Sequence, residues 1–343
     1  MFQIFLFFTF KRYKMKKLLV AIENFNIFKS IDMSIFKELD IEVEYNLSGS
    51  EKSYWEEPDL FSDSEYIIAG LEKYDEVFFQ KFSKVKAISR VGVGTDNIDI
   101  QTAKSKGVKI FKTSDKPSVA VAELCIANMI SILRSTFLMS NELKQGDWKP
   151  IVGREIRNLE IGIIGMGSIG KQIVKRLSVF ETKLSGYGRT WDIKFANQYG
   201  VLKKSLKEIF SSSDIISIHL PLDEDTRGLI NSDLISSMKS NSILINTSRS
   251  AVIDNIALSQ ALRAYKISGA AIDVFDEERN IAPYESINNV ILTPHIGSHT
   301  RETRKEMEET SVNNIINYHK LITNSSQSDV NHLIAEIDKN TVI

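Results

Sequence analysis

Gly165-Met166-Gly167-Ser168-Ile169-Gly170 spaces three glycines as a turn that can hold phosphate on backbone N–H groups. Gly165 permits the tight turn, Gly167 lets the main chain approach a pyrophosphate, and Gly170 lets the next helix pack close to the preceding strand. A helix start adds unpaired N–H groups and a partial positive charge. The context agrees: the apolar run Ile161-Gly162-Ile163-Ile164 precedes the turn and the helix-like Lys171–Leu177 comes after it. About 20 residues further on, an acidic residue would bind the ribose 2′-hydroxyl of NAD. Here the chain reads Gly188-Arg189-Thr190, with Gly188 where Asp is expected. Without that carboxylate a 2′-phosphate meets no repulsion, and Arg189 and Thr190 can donate to one. The segment therefore leans toward NADP(H). The alternative is that Arg189 is a solvated loop residue and both cofactors are accepted.

Other side chains could move protons or hold anions. His295 comes after Pro294, and its imidazole titrates near neutrality, which suits a general acid and base. By itself it reads equally as a structural histidine. Arg249 comes after a strand ending at Asn246, and its planar fork suits a carboxylate. The plainer reading is a surface arginine. Asp276, Glu277 and Glu278 are adjacent carboxylates, any of which could back an imidazole.

Positioning these residues requires a scaffold of parallel strands, because short β-branched runs alternate with longer amphipathic stretches. Before residue 115 the expected strands are Leu18–Ile22, Ile41–Tyr45, Tyr66–Ala69, Ala87–Val91 and Lys109–Phe111. A second series comprises Glu160–Ile164, Leu184–Tyr187, Ile215–Leu220, Ile243–Asn246, Ala270–Val274 and Val290–Leu292. Each series can form its own sheet. Between them Val119–Arg134 is apolar on nearly every side, so it is expected to pack between domains or against a second subunit. Met307, Val312, Ile315, Ile316 and Tyr318 recur at helical spacing in Arg301–Leu321, the last clear helix.

Bulk properties narrow the classes. The 343 residues suggest two domains. Lys plus Arg total 43 against 44 Asp plus Glu, a net charge of −1, so there is no basic excess for a nucleic-acid partner. No metal site is expected. The one cysteine, Cys125, excludes an intrachain disulfide, fits a reducing, cytoplasmic setting, and reads as a buried packing residue. Met1–Phe10 is strongly apolar and precedes a basic cluster, the reverse of a signal peptide, and is about half the length that spans a bilayer. Residues 1–14 are read as a non-native or disordered extension with Met15 as working start; a membrane-surface anchor is the alternative.

Several segments converge in order: Ile88-Ser89-Arg90-Val91-Gly92-Val93-Gly94-Thr95-Asp96-Asn97-Ile98-Asp99, Ser118-Val119-Ala120-Val121-Ala122-Glu123, the glycine turn, His219-Leu220-Pro221, Asn246-Thr247-Ser248-Arg249, Asp273-Val274-Phe275 with Glu278, and Thr293-Pro294-His295-Ile296-Gly297-Ser298. In these the chain, from about Met15 to Leu321, resembles the D-isomer-specific 2-hydroxyacid dehydrogenases, a family that includes phosphoglycerate, glyoxylate/hydroxypyruvate and D-lactate enzymes.

The resemblance implies an α/β fold with a Rossmann doubly wound parallel sheet over 117–297. It also implies a discontinuous, flavodoxin-like substrate domain over 15–116 and 298–343, an active-site cleft between the two, and a homodimer paired through Val119–Arg134. It implies a small 2-oxo or 2-hydroxy acid substrate and NAD(P)H. Within it, His295 is the acid/base, Glu278 its carboxylate by spacing from Asp273, and Arg249 the group for the 2-oxo acid oxygens. The N–H groups of Val93 and Gly94 bind the substrate carboxylate. His219, Leu220, Pro221, Thr226, Thr247, Ser248, Arg249, His295 and Gly297 line the dinucleotide, together with the glycine turn and Gly188-Arg189-Thr190, and Asp273 holds the nicotinamide carboxamide. Ser250 where Gly commonly stands, Arg279 where Pro does, and His299 depart from the pattern without removing a catalytic group. Two alternatives remain: a D-3-phosphoglycerate dehydrogenase, and a non-catalytic dinucleotide-sensing corepressor on the same fold.

Overall fold

The two series of β-branched runs build two all-parallel sheets in the computed structural model, one in each of two units. The structure describes residues 15–47, 53–113, 117–275, 280–323 and 340–342. The expectation for residues 1–14 therefore lies outside the described residues.

The first unit comprises Met1–Ser114 with Lys305–Ile343. Its strands are β1 (Lys16–Val20), β2 (Ile41–Tyr45), β3 (Tyr66–Ala69), β4 (Ala87–Arg90) and β5 (Lys109–Lys112), in the order β2-β1-β3-β4-β5. This is the flavodoxin-like order. Alternation decides which face each side chain serves. Leu19, Ile67, Ile88 and Ile110 pack on one side with Phe61, Phe78 and Phe79. Leu18, Val20, Tyr66 and Ile68 pack on the other, against Met307, Val312 and Ile315 of the helix Arg301–Thr323. Burying each such side chain contributes roughly 1.5–3 kcal/mol. The Tyr66 hydroxyl also meets His319 Nδ1 at 3.0 Å.

The second unit, Asp115–Arg304, holds β6 (Glu160–Ile164), β7 (Lys183–Tyr187), β8 (Leu202–Lys203), β9 (Ile215–Ile218), β10 (Ile243–Asn246), β11 (Gly269–Ile272) and β12 (Val290–Leu292). Their order is β12-β11-β10-β9-β6-β7-β8, so the chain winds outward from β6 through β7 to β8, then restarts on the other side at β9. That reversal is the switch point of a Rossmann sheet, the place where loops at the carboxyl ends diverge to admit a ligand. Ile161 and Ile163 face Ile173, Val174 and Leu177 of the helix Ser168–Leu177. Ile164, Ile216, Ile218 and Leu244 face the opposite layer with Ile209, Phe210 and Leu258.

The helix Ser118–Leu133 packs within this second unit, against the helix Ser168–Leu177 and the β10–β11 region. Ala122, Cys125, Met129 and Leu133 supply its buried side. Its apolar character is thus largely used inside one unit, and Val119 stays exposed. Among the described residues no single helix is long and apolar enough to cross a membrane.

Candidate active site

In the second unit, the residues singled out from sequence lie on turns and loops that come after parallel strands. β6 runs directly into Gly165, whose φ is +103°. A Cβ there would stand 2.4 Å from the His219 carbonyl oxygen, so a side chain at this position would collide with the loop leaving β9. A Cβ on Gly170 would come within 2.2 Å of the Gly165 carbonyl oxygen, which shows how closely the helix Ser168–Leu177 sits on the turn. A Cβ on Gly167 would meet nothing within 4 Å. Gly167 is the N-cap of that helix and caps it with no side chain. Met166 and Ile169 turn toward the core, while Gly167 and Ser168 are exposed. An open glycine over an uncapped helix start fits the pyrophosphate of a dinucleotide.

The loops on either side complete this end of the sheet. A Cβ on Gly188 would be 3.4 Å from Met166 N, so the residue that ends the β7 turn lies against the glycine turn. Arg189 is exposed, as a loop residue would be, yet it is paired: Nη2 reaches Asp223 Oδ2 at 2.7 Å, and Nη1 reaches Asp225 Oδ2 at 3.5 Å. Thr190 is exposed beside it. Thr226 is buried and donates from Oγ1 to the Pro221 carbonyl at 2.7 Å, while Oγ1 accepts from Asp223 N at 2.8 Å. Its hydroxyl therefore folds the 221–226 loop. His219 Nε2 meets Ser217 Oγ at 2.7 Å, and burial pushes its pKa down to about 3. That imidazole is neutral at physiological pH. Leu220 is buried and Pro221 exposed.

After β10 a short network shapes the arginine turn. Asn246 Oδ1 accepts from Ser248 N at 3.0 Å and from Ser248 Oγ at 2.9 Å, and Nδ2 donates to the Arg249 carbonyl at 3.1 Å. Arg249 Nη1 in turn donates to the Ser248 carbonyl at 2.7 Å. Asn246 is thus a positioning residue, although in sequence it marks only the end of a strand. Thr247 Oγ1 lies 3.3 Å from Cys125 Sγ, and burial pushes that thiol up to about 12. Ser250 has its partner five residues further along the chain: its Oγ accepts from Asn255 Nδ2 at 2.9 Å, and Asn255 Oδ1 accepts from Tyr284 Oη at 2.7 Å.

The histidine loop hangs on one carboxylate. Asp273 is 1% exposed. Its Oδ1 accepts from Thr293 Oγ1 at 2.6 Å and from Ile296 N at 2.8 Å, and its Oδ2 accepts from Gly297 N at 2.9 Å. These bonds bracket His295, which has φ +53° and donates its N–H to the Thr293 carbonyl at 3.0 Å. Burial pushes the Asp273 carboxyl above its ordinary value, and the three hydrogen bonds oppose that rise. A Cβ on Gly297 would stand 3.1 Å from Asp273 Oδ2 and 3.2 Å from Val121 Cγ2, so only glycine fits without a shift. In the structure the three bonds drawn to Asp273 come from the segment that carries the candidate acid.

Glu278, with Asp276, Glu277 and Arg279, lies outside the described residues. Val93 and Gly94 belong to the first unit, on the bend after β4, with Val93 exposed and Gly94 half-buried. Arg90 ends β4, and its guanidinium lies where a side chain on Gly92 would have to go.

Comparison with known proteins bears on the family and the fold. Residues 126–297 match the family described as D-isomer specific 2-hydroxyacid dehydrogenase, NAD binding domain. A glyoxylate reductase of Thermococcus litoralis is 35% identical over 263 residues, covering 73% of this chain and 78% of that protein. A D-3-phosphoglycerate dehydrogenase of Methanocaldococcus jannaschii is 39% identical over 230 residues, or 66% of this chain, but the match spans only 44% of that longer protein. The structure of a D-lactate dehydrogenase from Aquifex aeolicus, solved with NAD and lactic acid, superposes with a TM-score of 0.81 at 24% identity, covering 95% of this chain and 99% of that one.

Proposed function

The chain belongs to the D-isomer specific 2-hydroxyacid dehydrogenase family, and on that footing we propose that it interconverts a small D-2-hydroxy acid and its 2-oxo acid by hydride transfer with a nicotinamide dinucleotide. One observation carries the reading. The buried carboxylate of Asp273 holds the loop on both sides of His295, through the Thr293 hydroxyl before it and the Ile296 and Gly297 N–H groups after it, at the carboxyl edge of the sheet that bears the glycine turn. A surface histidine needs no such anchorage.

The residues divide the work. Bound dinucleotide supplies the hydride. The glycine turn, Gly165 to Gly170, would hold its pyrophosphate, with His219, Leu220, Pro221, Thr247 and Ser248 lining it. Arg249 would grip the carboxylate and carbonyl oxygens of the 2-oxo acid through its fork. The N–H groups of Val93 and Gly94 are the proposed backbone donors to the substrate carboxylate. His295 gives a proton to the carbonyl oxygen during reduction and takes it from the hydroxyl during oxidation. Glu278 is its proposed partner: a carboxylate there favours imidazolium and keeps the proton available. The first unit is the proposed substrate domain.

The test is a panel of glyoxylate, hydroxypyruvate, pyruvate, 3-phosphohydroxypyruvate and a branched 2-oxo acid, each with NADH and NADPH, monitored by loss of nicotinamide absorbance. Turnover of at least one acid is expected. Tight dinucleotide binding with no turnover of any acid would replace the enzyme with a sensor.

Gly188 supports a lean toward NADP(H), because no carboxylate occupies the ribose position. Gly188→Asp is expected to move the NADH/NADPH ratio of kcat/KM toward NADH by on the order of tenfold or more. The space admits it, since the new Cβ would make ordinary contact with Met166 N at 3.4 Å. An unchanged ratio removes position 188 from cofactor choice.

We also propose a homodimer, with a second copy covering the segment after the helix Ser118–Leu133. Leu143, Trp148, Ile151 and Val152 are all exposed there, Trp148 at 82% and Val152 at 98%. Clustered apolar exposure of this kind marks an interface. The buried lone thiol is compatible with a cytoplasmic setting.

A further inference from the structure

The ion pair at the end of β7 bears on which dinucleotide the chain prefers. Arg189 sits on the loop after β7, and Asp223 and Asp225 sit on the loop after β9. β7 and β9 are the two neighbours of β6, whose carboxyl end is the glycine turn. The guanidinium therefore ties together the loops on both sides of the phosphate turn. Its best-placed partner, Asp223, is itself held: Oδ1 accepts from Thr226 N at 3.0 Å while Oδ2 takes the arginine at 2.7 Å. Hydrogen bonds from Thr226 and Arg189, working against burial, keep the Asp223 carboxyl below its ordinary value, so it is charged at neutral pH.

We propose that Asp223 sets cofactor choice by occupying Arg189, so that a 2′-phosphate must compete with a resident carboxylate for the only cation of the Gly188-Arg189-Thr190 segment. This rests on the dehydrogenase reading and refines it. A ribose bearing a free 2′-hydroxyl leaves the pair intact. A 2′-phosphate must either displace Asp223 from the guanidinium or lie beside it, and like charges brought together this way disfavour binding. Gly188 admits the phosphate by omission, while Asp223 opposes it, so the lean toward NADP(H) that Gly188 supports is held in check by the resident carboxylate.

Asp223→Asn isolates the effect. Its Oδ1 can still accept from Thr226 N, so the loop keeps its turn, but the amide no longer accepts from Arg189 or repels a phosphate. Isothermal titration of the full chain with NADPH, NADH, 2′,5′-ADP and 5′-AMP reads the result without turnover. In Asp223→Asn, NADPH and 2′,5′-ADP should bind on the order of tenfold more tightly, with NADH and 5′-AMP within about twofold. That gain should shrink when Arg189→Ala is added, because the cation under competition is gone. Unchanged NADPH affinity overturns the proposal. So does weaker NADH binding in its place, which would make Asp223 a ribose acceptor, and so does a gain undiminished by Arg189→Ala. Failure of the native chain to bind any of the four ligands would instead remove the dehydrogenase reading, and this inference with it.

Discussion

His295→Asn is expected to lower kcat by about 10²–10⁴-fold, the usual contribution of a positioned general acid and base. Asparagine is the informative substitution because the backbone at 295 is left-handed, with φ +53°. Asn tolerates that region far better than β-branched or bulky residues, so the loop is conserved while the proton carrier is lost. Dinucleotide binding should remain within about twofold, since pyrophosphate recognition falls to the separate glycine turn. Steady-state reduction of the best 2-oxo acid, paired with calorimetric titration of cofactor, separates the two quantities. Turnover within about tenfold of native would take the proton-transfer role away from this imidazole.

Asp273→Asn is expected to damage both stability and turnover, through one mechanism. The native carboxylate takes three donors, from Thr293 Oγ1, Ile296 N and Gly297 N. An amide keeps one oxygen and turns an NH₂ toward at least one N–H, leaving buried donors opposed. At about 1–3 kcal/mol for each buried group left unsatisfied, the loss should be about 2–4 kcal/mol. For a unit of this size that lowers Tm by roughly 5–15 °C. At 25 °C the protein should still be folded, yet kcat should fall about 100-fold, because a small displacement of a catalytic group costs that much. Scanning calorimetry gives the first value and single-turnover kinetics the second. A lowered Tm with native kcat would mean that Asp273 merely packs, and that His295 is positioned by other contacts.

Much of the scaffold can be read from residue pattern because it is set by local alternation. Ile41–Tyr45, Tyr66–Ala69, Glu160–Ile164, Ile243–Asn246 and Val290–Leu292 are strands over the expected residues. Departures have local causes. β1 begins at Lys16, two residues earlier than expected, because Lys16 and Lys17 pair with Ile41 and Glu42 even though they belong to the basic cluster that precedes the apolar run. β8 is absent from the expected strands: Leu202 and Lys203 are both exposed, and two residues carry no periodicity.

The site divides differently. The glycine turn announces itself because three backbone demands fall within six residues. The Arg189–Asp223 pair joins residues 34 positions apart, and no short pattern encodes it. Asn246 is visible in sequence only as the polar residue that stops an apolar strand, while its clamp on Ser248 and Arg249 depends on the turn's geometry. The same is true of Asp273: sequence marks it as a carboxylate at a strand end, and folding decides that it faces the histidine loop.

Cys125 offers a practical dividend. It is the chain's single thiol, it is fully enclosed beside Thr247, and its high pKa leaves almost no thiolate to react at neutral pH. Maleimide reagents should therefore pass the native protein by. A cysteine introduced at an exposed position such as Ser168 or Thr190 would then carry a fluorophore or spin label at one defined place, with no background to subtract.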